Sequence, residues 1–184
     1  MEIRLLSLLE GARRAAGTVV IIDVYRAFTT AAVALQRGAA RILLVDTPEA
    51  AFKLRCQGRG DLCLGEVSGI KVPGFDFGNS PLELSQAGVH GQTLIQSTSA
   101  GTKGVVAAGR AEVLFAAALV NAEATVRDCN VASNDALRGG GLAALDSVLY
   151  AMGNKIVGNQ TITDVNDPND DDILPLGAGV LTLT

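Results

Sequence analysis

The feature that most constrains the fold is the alternation, over residues 1–127, of short β-branched runs with alanine-rich stretches of helical character. The runs that predict buried strands are residues 18–22, 41–45, 63–66, 93–97 and 112–117. Between them, helices are predicted at residues 28–37, 48–55 and 102–108. Because this alternation is typical of a sheet covered by helices, we predict an α/β fold with a mainly parallel or mixed sheet and flanking helices.

The composition excludes several classes of protein. Hydrophobic residues make up 48% and charged residues 18% of the chain, which excludes a disordered polypeptide. There is no cluster of lysine and arginine, so nucleic-acid binding is not expected as a main activity. No apolar run approaches the roughly 18 residues of a membrane span, and residues 1–10 lack the pattern of a secretory signal. We therefore predict a cytoplasmic protein that acts without a membrane.

The composition changes near residue 128, which predicts two domains with a boundary there. Residues 1–127 carry 13 basic and 11 acidic side chains, whereas residues 128–184 carry 2 basic and 8 acidic ones. Short apolar runs in this acidic tail are separated by Gly, Asn and Asp, with glycine clusters at residues 139–142 and 177–180. This pattern predicts a β-coil, and residues 139–161 resemble a repeat of the right-handed parallel β-helix.

The first polar cluster of chemical interest follows the predicted strand 18–22. Asp23 comes directly after the strand, Arg26 lies three residues later, and the hydroxyls of Thr29 and Thr30 lie at the start of a helix. A carboxylate at a strand end can hold Mg²⁺ or attack phosphorus, and an arginine can bind an anion. Asp and Thr are also common helix caps, and the spacing leaves both interpretations open.

A second polar region is the long segment from residue 65 to residue 81. It contains Glu66 and Lys71 between glycines, and then the oxygen donors Asp76 and Asn79. Such donors suit a hard cation, although ordinary Asx-turns use the same residues. A loop of this length inside a compact domain is usually functional or disordered. Disorder is disfavoured by the apolar residues that we expect to pack, which are Ile70, Val72, Phe75 and Phe77.

A third polar cluster lies between the predicted strand 93–97 and the helix that follows it. Residues 97–104 contain four hydroxyl side chains, two glycines and a lysine. Backbone N–H groups at a helix start favour an oxyanion, so we predict binding of a phosphate or sulfonate group here. The alternative is a Ser/Thr-rich turn with a helix cap. The predicted substrate-binding residues of this cluster are Ser97, Thr98, Gly101, Thr102 and Lys103.

These clusters occur in an order that resembles one known family. Residues 23–30, 65–66, 71–81 and 97–102 are similar to segments of the 2-phosphosulfolactate phosphatases, and the resemblance covers about residues 1–127. It implies an Mg²⁺-dependent phosphoric monoester hydrolase that acts on phosphate esters of 2-hydroxy acids. Its best-known substrate is 2-phosphosulfolactate, on the route to coenzyme M.

The resemblance also implies roles for particular residues. It makes Asp23, Arg26 and Asp76 candidate catalytic residues, and it makes Lys71 a substrate-binding residue beside those of the third cluster. The candidate Mg²⁺ ligands are Asp23, Glu66, Asp76 and Asn79. We expect the three carboxylates to converge on one ion. Attack on phosphorus by water and attack by Asp23 both remain open.

Two alternatives accompany the phosphatase hypothesis. Family members continue beyond the matching segment, whereas this chain has an acidic tail there, so the chain could be a truncated, inactive phosphatase-like fragment fused to a β-helix-type interaction segment. A non-enzymatic surface protein would instead require a secretion signal and longer repeats, which the sequence lacks. The expected partner is a small anionic phosphoester. Strand edges left exposed by the missing half predict self-association as a homo-oligomer.

Overall fold

The computed structural model describes four segments of the chain: residues 3–125, 148–151, 154–157 and 182–183. The strands are β1 (Ile3–Arg4), β2 (Gly17–Ile22), β3 (Arg41–Val45), β4 (Leu62–Val67), β5 (Ile70–Lys71), β6 (Thr93–Ser97), β7 (Ala111–Ala117), β8 (Val148–Ala151), β9 (Asn154–Val157) and β10 (Thr182–Leu183). The α-helices are α1 (Leu8–Arg14), α2 (Ala27–Gln36), α3 (Pro48–Cys56), α4 (Pro81–Ser85) and α5 (Gly101–Ala107), and a 3-10 helix covers Leu119–Asn121. None of the helices in these segments has the length and apolar character that a membrane crossing requires.

The strands form two sheets in which parallel pairs are central. One sheet has the order β5-β4-β6-β3-β8-β9, in which β4, β6, β3 and β8 are parallel to one another and the edge strands β5 and β9 are antiparallel to their neighbours. The other has the order β1-β10-β2-β7, with β2 parallel to β7 and β10 antiparallel to both neighbours. The prediction of an α/β fold with a parallel or mixed sheet and flanking helices is therefore confirmed.

Strand β6 shows how the helices cover both faces of the larger sheet. All five of its residues are buried, as expected for a parallel strand between two others. Leu94 packs in one core with Phe28 of α2, while Ile95 packs in a second core with Ala51 of α3 and with Phe75. Because successive side chains of a strand point to opposite faces, α2 and α3 lie on opposite sides of this sheet.

Capping residues lie at helix ends where the sequence predicts them. Thr47 caps α3, since its Oγ1 accepts a hydrogen bond from the backbone N–H of Ala50 at 3.2 Å. Gly38 has φ of +87° just after α2, a conformation that glycine adopts at little cost. Helix α4 is absent from the predicted elements, although Ser80 caps it through the N–H of Glu83 at 3.3 Å.

The acidic tail contributes strands to both sheets. Strand β8 pairs with β3 in parallel, and β10 lies between β1 and β2. The glycine clusters at residues 139–142 and 177–180, and most of the segment 139–161, lie outside the described residues. The β-coil and the domain boundary near residue 128 therefore stay predictions.

Candidate functional site

The polar residues of interest lie where strands of the two sheets end. Asp23 follows β2, Glu66 is near the end of β4, and the loop from Thr98 to Ala100 follows β6. Ligands of open α/β sheets bind at the carboxyl ends of the strands. Asp23 and Glu66 are close enough for the charge of Glu66 to raise the pKa of Asp23. The structure also places both acids against the chain that follows β6, Glu66 on Ser99 and Asp23 on Gly101.

Asp23 is held by the first turns of two helices. Its Oδ1 accepts a hydrogen bond from the N–H of Ala27 at 3.3 Å, and the backbone of Gly101 also donates to the carboxylate. Burial raises the pKa of Asp23, these hydrogen bonds lower it, and Glu66 raises it again, with a net increase above the usual 3.8. Gly101 permits the close approach, because a Cβ there would lie 2.6 Å from Oδ2 of Asp23.

Glu66 is held in its ionised form by three donors. The N–H of Ser99 donates to Oε1 at 2.7 Å, while the Ser99 hydroxyl and the N–H of Gly69 donate to Oε2 at 3.0 and 2.6 Å. Burial alone would raise the pKa of this carboxyl, but the hydrogen bonds and the charge of Arg26 outweigh it. The pKa of Glu66 consequently lies below its usual 4.5.

Two sets of contacts fix the loops that carry these acids. Gln96 is fully buried, and its Nε2 donates to the carbonyl of Ala27 at 2.9 Å, which ties β6 to the first turn of α2. Thr98 and Thr102 bind each other: the N–H of Thr98 donates to Oγ1 of Thr102 at 2.8 Å, and the N–H of Thr102 donates to Oγ1 of Thr98 at 3.2 Å. These contacts hold Ala27 and Gly101 against Asp23.

A cavity of about 430 Å³ opens beside Asp23. Its polar lining comes from Asp23, Ser99 and Lys103. The rest of the lining includes aliphatic side chains of the α1 region and β2, which are Leu5, Leu6, Leu8, Leu9, Val20, Ile21 and Ile22. This volume is in the range of small-molecule sites, so Asp23 lies at the edge of a space that a ligand can occupy.

The three carboxylates of Asp23, Glu66 and Asp76 do not converge on one point, contrary to the expectation from the sequence. Asp76 is bound by Arg55 of α3 at 3.0 Å and by the N–H of Cys63 at 2.8 Å, whereas Glu66 faces Asp23 and Arg26 at the start of α2. Since α2 and α3 cover opposite faces of the sheet, Asp76 lies apart from the acid pair. Among the residues that the structure describes, no group of three His, Cys, Asp or Glu side chains could hold a metal ion.

The other predicted residues have the following positions. The Nζ of Lys71 donates to the carbonyl oxygen of Asp76 at 2.6 Å. Asn79 is buried, and its Oδ1 accepts no hydrogen bond from any described residue. Ser97 is buried at the end of β6, and Lys103 lines the cavity. The predicted roles of these residues in binding substrate or metal stay predictions.

Two residues that build the site, and one that holds Asp76 apart from it, are absent from the predicted set. Ser99 binds Glu66, Gln96 anchors Ala27, and Arg55 engages Asp76. A signal existed for two of them: Ser99 belongs to the hydroxyl-rich run, and Gln96 is a polar residue inside an apolar strand. The partnership of Arg55 and Asp76 spans 21 residues and has no local signature.

The fold and these contacts define an α/β protein with a ligand-sized cavity beside Asp23, at the carboxyl end of β2. The sequence model of the family described as 2-phosphosulpholactate phosphatase matches residues 6–138. That match covers well over half of the sequence, and the chain belongs to the 2-phosphosulfolactate phosphatase family.

Individual relatives agree with the family match. A probable 2-phosphosulfolactate phosphatase of Carboxydothermus hydrogenoformans is 49% identical over 106 residues, which cover 58% of this chain and 44% of that protein. Proteins with the same description from Deinococcus radiodurans and Clostridium acetobutylicum are 45% and 35% identical. These two alignments cover 58% and 64% of this chain and 45% and 51% of the relatives. The chain thus spans about half the length of the curated relatives it matches.

Proposed function

We propose that this chain hydrolyses the phosphate monoester of a 2-hydroxy acid, such as 2-phosphosulfolactate, with Mg²⁺ as cofactor. The observation that carries the proposal is that Asp23, which the charge of Glu66 reaches, lines a cavity of about 430 Å³ in a chain that matches the family over residues 6–138. Each of the two acids comes from a segment that the family resemblance had marked.

Two cations near the acids suit an anionic phosphoester. Such a substrate carries several negative charges, and phosphoryl transfer requires that the charge on the transferred group be neutralised. Arg26 is exposed beside Glu66, and Lys103 lines the cavity next to Asp23. These two side chains are the cations that we assign to the phosphate and to the carboxylate or sulfonate of the substrate.

The donor set around Asp23 fits Mg²⁺, which prefers oxygen ligands. Asp23 and Glu66 are carboxylates whose repulsion a divalent cation would relieve. Asn79 is kept as a proposed further ligand, because its buried Oδ1 accepts no hydrogen bond from any described residue. Asp76 would not join them, because Arg55 and Cys63 already bind it. A bound Mg²⁺ supplies charge neutralisation at the phosphoryl oxygens.

The test is release of inorganic phosphate by the whole chain. We expect turnover of 2-phosphosulfolactate and 2-phospholactate with Mg²⁺, loss of turnover with EDTA, and at least a hundredfold loss in Asp23→Asn. Glu49→Gln, which removes an exposed carboxylate from α3, is the control and should keep full activity. A folded wild-type chain that releases no phosphate from any of these esters would overturn the proposal.

A second candidate is a family member that folds without turnover, joined to a tail that serves interaction. The observation that favours it is the share of the relatives' length that the chain spans, which is 44–51% for the three described above. A folded, inert protein in the assay above would support it. A cytoplasmic location, a role in coenzyme M synthesis and self-association remain predictions for either candidate.

A further inference from the structure

We infer that Ser99 is a positioning residue that holds the Glu66 carboxylate in the site and connects it to the turn between β4 and β5. Ser99 makes contacts with Glu66 through its backbone N–H and its hydroxyl, on different carboxylate oxygens. The inference deepens the proposed function, since it concerns the same site.

The Ser99 hydroxyl both donates and accepts a hydrogen bond. It donates to Oε2 of Glu66 at 3.0 Å, and it accepts a hydrogen bond from the N–H of Ser68 at 2.8 Å. A hydroxyl that has its proton committed to one partner and a lone pair to another has a defined orientation. Ser99 therefore fixes the carboxylate relative to the backbone of the turn.

The turn completes the arrangement around Glu66. Ser68 and Gly69 have φ values of +53° and +82°, the pair of left-handed conformations of a two-residue type I′ hairpin turn. This turn directs the N–H of Gly69 at Oε2 of Glu66, at 2.6 Å. Ser99, on the loop after β6, thus joins two loops around one acid.

A role in packing does not explain Ser99. The residue is exposed, lines the cavity and belongs to none of the apolar cores formed by the described residues. Hydrogen-bond partners of carboxylates in a metal site commonly affect metal affinity or activity by about 10- to 100-fold. Removal of the hydroxyl should therefore affect what the site binds more than how firmly the protein folds.

The experiment compares Ser99→Ala and Ser99→Thr with Ser85→Ala in the whole chain. Ser85 is a matched control, because it is an exposed serine whose hydroxyl makes one bond, to the carbonyl of Leu82 at 2.7 Å. The readouts are Mn²⁺ affinity by titration, the chemical shift of the Gly69 amide proton without metal, kcat/KM for the phosphoester, and the melting temperature.

In Ser99→Ala we expect Mn²⁺ affinity and kcat/KM to fall about tenfold, and the Gly69 amide proton to shift upfield as Glu66 moves away. Ser99→Thr should restore all three, and Ser85→Ala should change none. The melting temperature of Ser99→Ala should stay close to that of the wild type.

Wild-type Mn²⁺ affinity in Ser99→Ala together with an unmoved Gly69 amide would overturn the inference. Failure of the proposed function is distinguishable, because it would appear as an inactive wild-type chain. The Gly69 amide shift reports on Ser99 in that case too.

Discussion

At the scale of single residues, Asp23 and Glu66 differ in what surrounds their oxygens. Glu66 receives three hydrogen bonds and lies near the positive charge of Arg26. Asp23 receives backbone donors at the start of two helices, but burial and the negative charge of Glu66 act against its ionised form. The same site therefore stabilises one carboxylate and destabilises the other.

This difference predicts opposite effects of two neutral substitutions on stability. The raised pKa of Asp23 means that the folded state loses stability as pH rises above about 3.8 through the folded value. Asp23→Asn should therefore be more stable than the wild type at pH 7. The lowered pKa of Glu66 means that its ionised form stabilises the fold at pH 4.5 and above. Glu66→Gln should lose about 1–2 kcal/mol at pH 7.

Urea unfolding in EDTA measures both effects. The difference in the free energy of unfolding between each variant and the wild type should shrink as pH falls, because the folded-state carboxyls become protonated. For Asp23→Asn it should approach zero below pH 3.8. For Glu66→Gln it should shrink below pH 4.5. Two variants that shift the free energy of unfolding in the same direction at pH 7 would contradict the assignment of opposite environments.

Gly101 and Gly104 offer a second test at single-residue resolution. Both lie in α5, but a Cβ at Gly101 would lie 2.6 Å from Oδ2 of Asp23, whereas a Cβ at Gly104 would meet Ile21 at 3.4 Å. Gly101→Ala must displace the carboxylate and should lower kcat/KM more than about tenfold, since small misplacements of reacting groups are costly. Gly104 also lines the cavity, but Gly104→Ala should lose less activity than Gly101→Ala and gain up to about 1 kcal/mol in stability. Equal activity of the two variants would show that the position of Asp23 does not matter.

At the scale of elements, the sequence predicts the bounds of those strands and helices that are determined by neighbouring residues. Strands β3 and β6 have the predicted bounds, and α3 begins at the predicted Thr47 cap, because β-branched runs and capping residues act over a few neighbours. The sequence analysis missed strand β5, inside the segment 65–81, and helix α4, which begins at the last residue of that segment. Ile70 was expected to pack, yet it is exposed on β5.

The same limit explains the position of Asp76. The sequence places three carboxylates near the ends of strands, those of Asp23, Glu66 and Asp76. Their chemistry and spacing therefore fit one cation site. The choice of Arg55 as the partner of Asp76 depends on how α3 packs on the sheet, which no short pattern encodes. Sequence patterns thus proposed three acids for one site, and the tertiary structure separates Asp76 from the other two.

We therefore expect Asp76 to stabilise the fold through the contact between α3 and the segment after β5. Asp76→Ala and Arg55→Ala should each cost about 1–2 kcal/mol in the free energy of unfolding. The double variant should cost less than the sum, because the two residues share one interaction. Urea unfolding of the four proteins measures this coupling.

Measurements of phosphate release distinguish a structural role of Asp76 from a role in metal binding. If Asp76 ligated Mg²⁺, Asp76→Ala would abolish phosphate release while Arg55→Ala would leave it intact. Parallel, partial losses in both variants, with Mn²⁺ affinity unchanged, are expected from the contacts of the carboxylate.

At the scale of the whole molecule, the acidic tail is part of the sheets. Strand β8 lies between β3 and β9, and β10 lies between β1 and β2, so strands from the tail cover edges of β3, β1 and β2. An uncovered edge exposes a row of backbone donors and acceptors that can pair with another chain. We therefore expect loss of the tail strands to promote self-association.

A chain that ends at residue 127 tests this coupling. Without β8 and β10 it should melt at a temperature lower by about 5–10 °C, and it should elute as a larger species than the full chain at equal concentration. Leu149→Pro in the full chain should reproduce part of the loss: β8 has a strand on either side, so a proline there removes a hydrogen bond towards one of them. If the shortened chain were as stable and as monomeric as the full one, residues 1–127 would be an independent domain and the tail strands would add nothing to it.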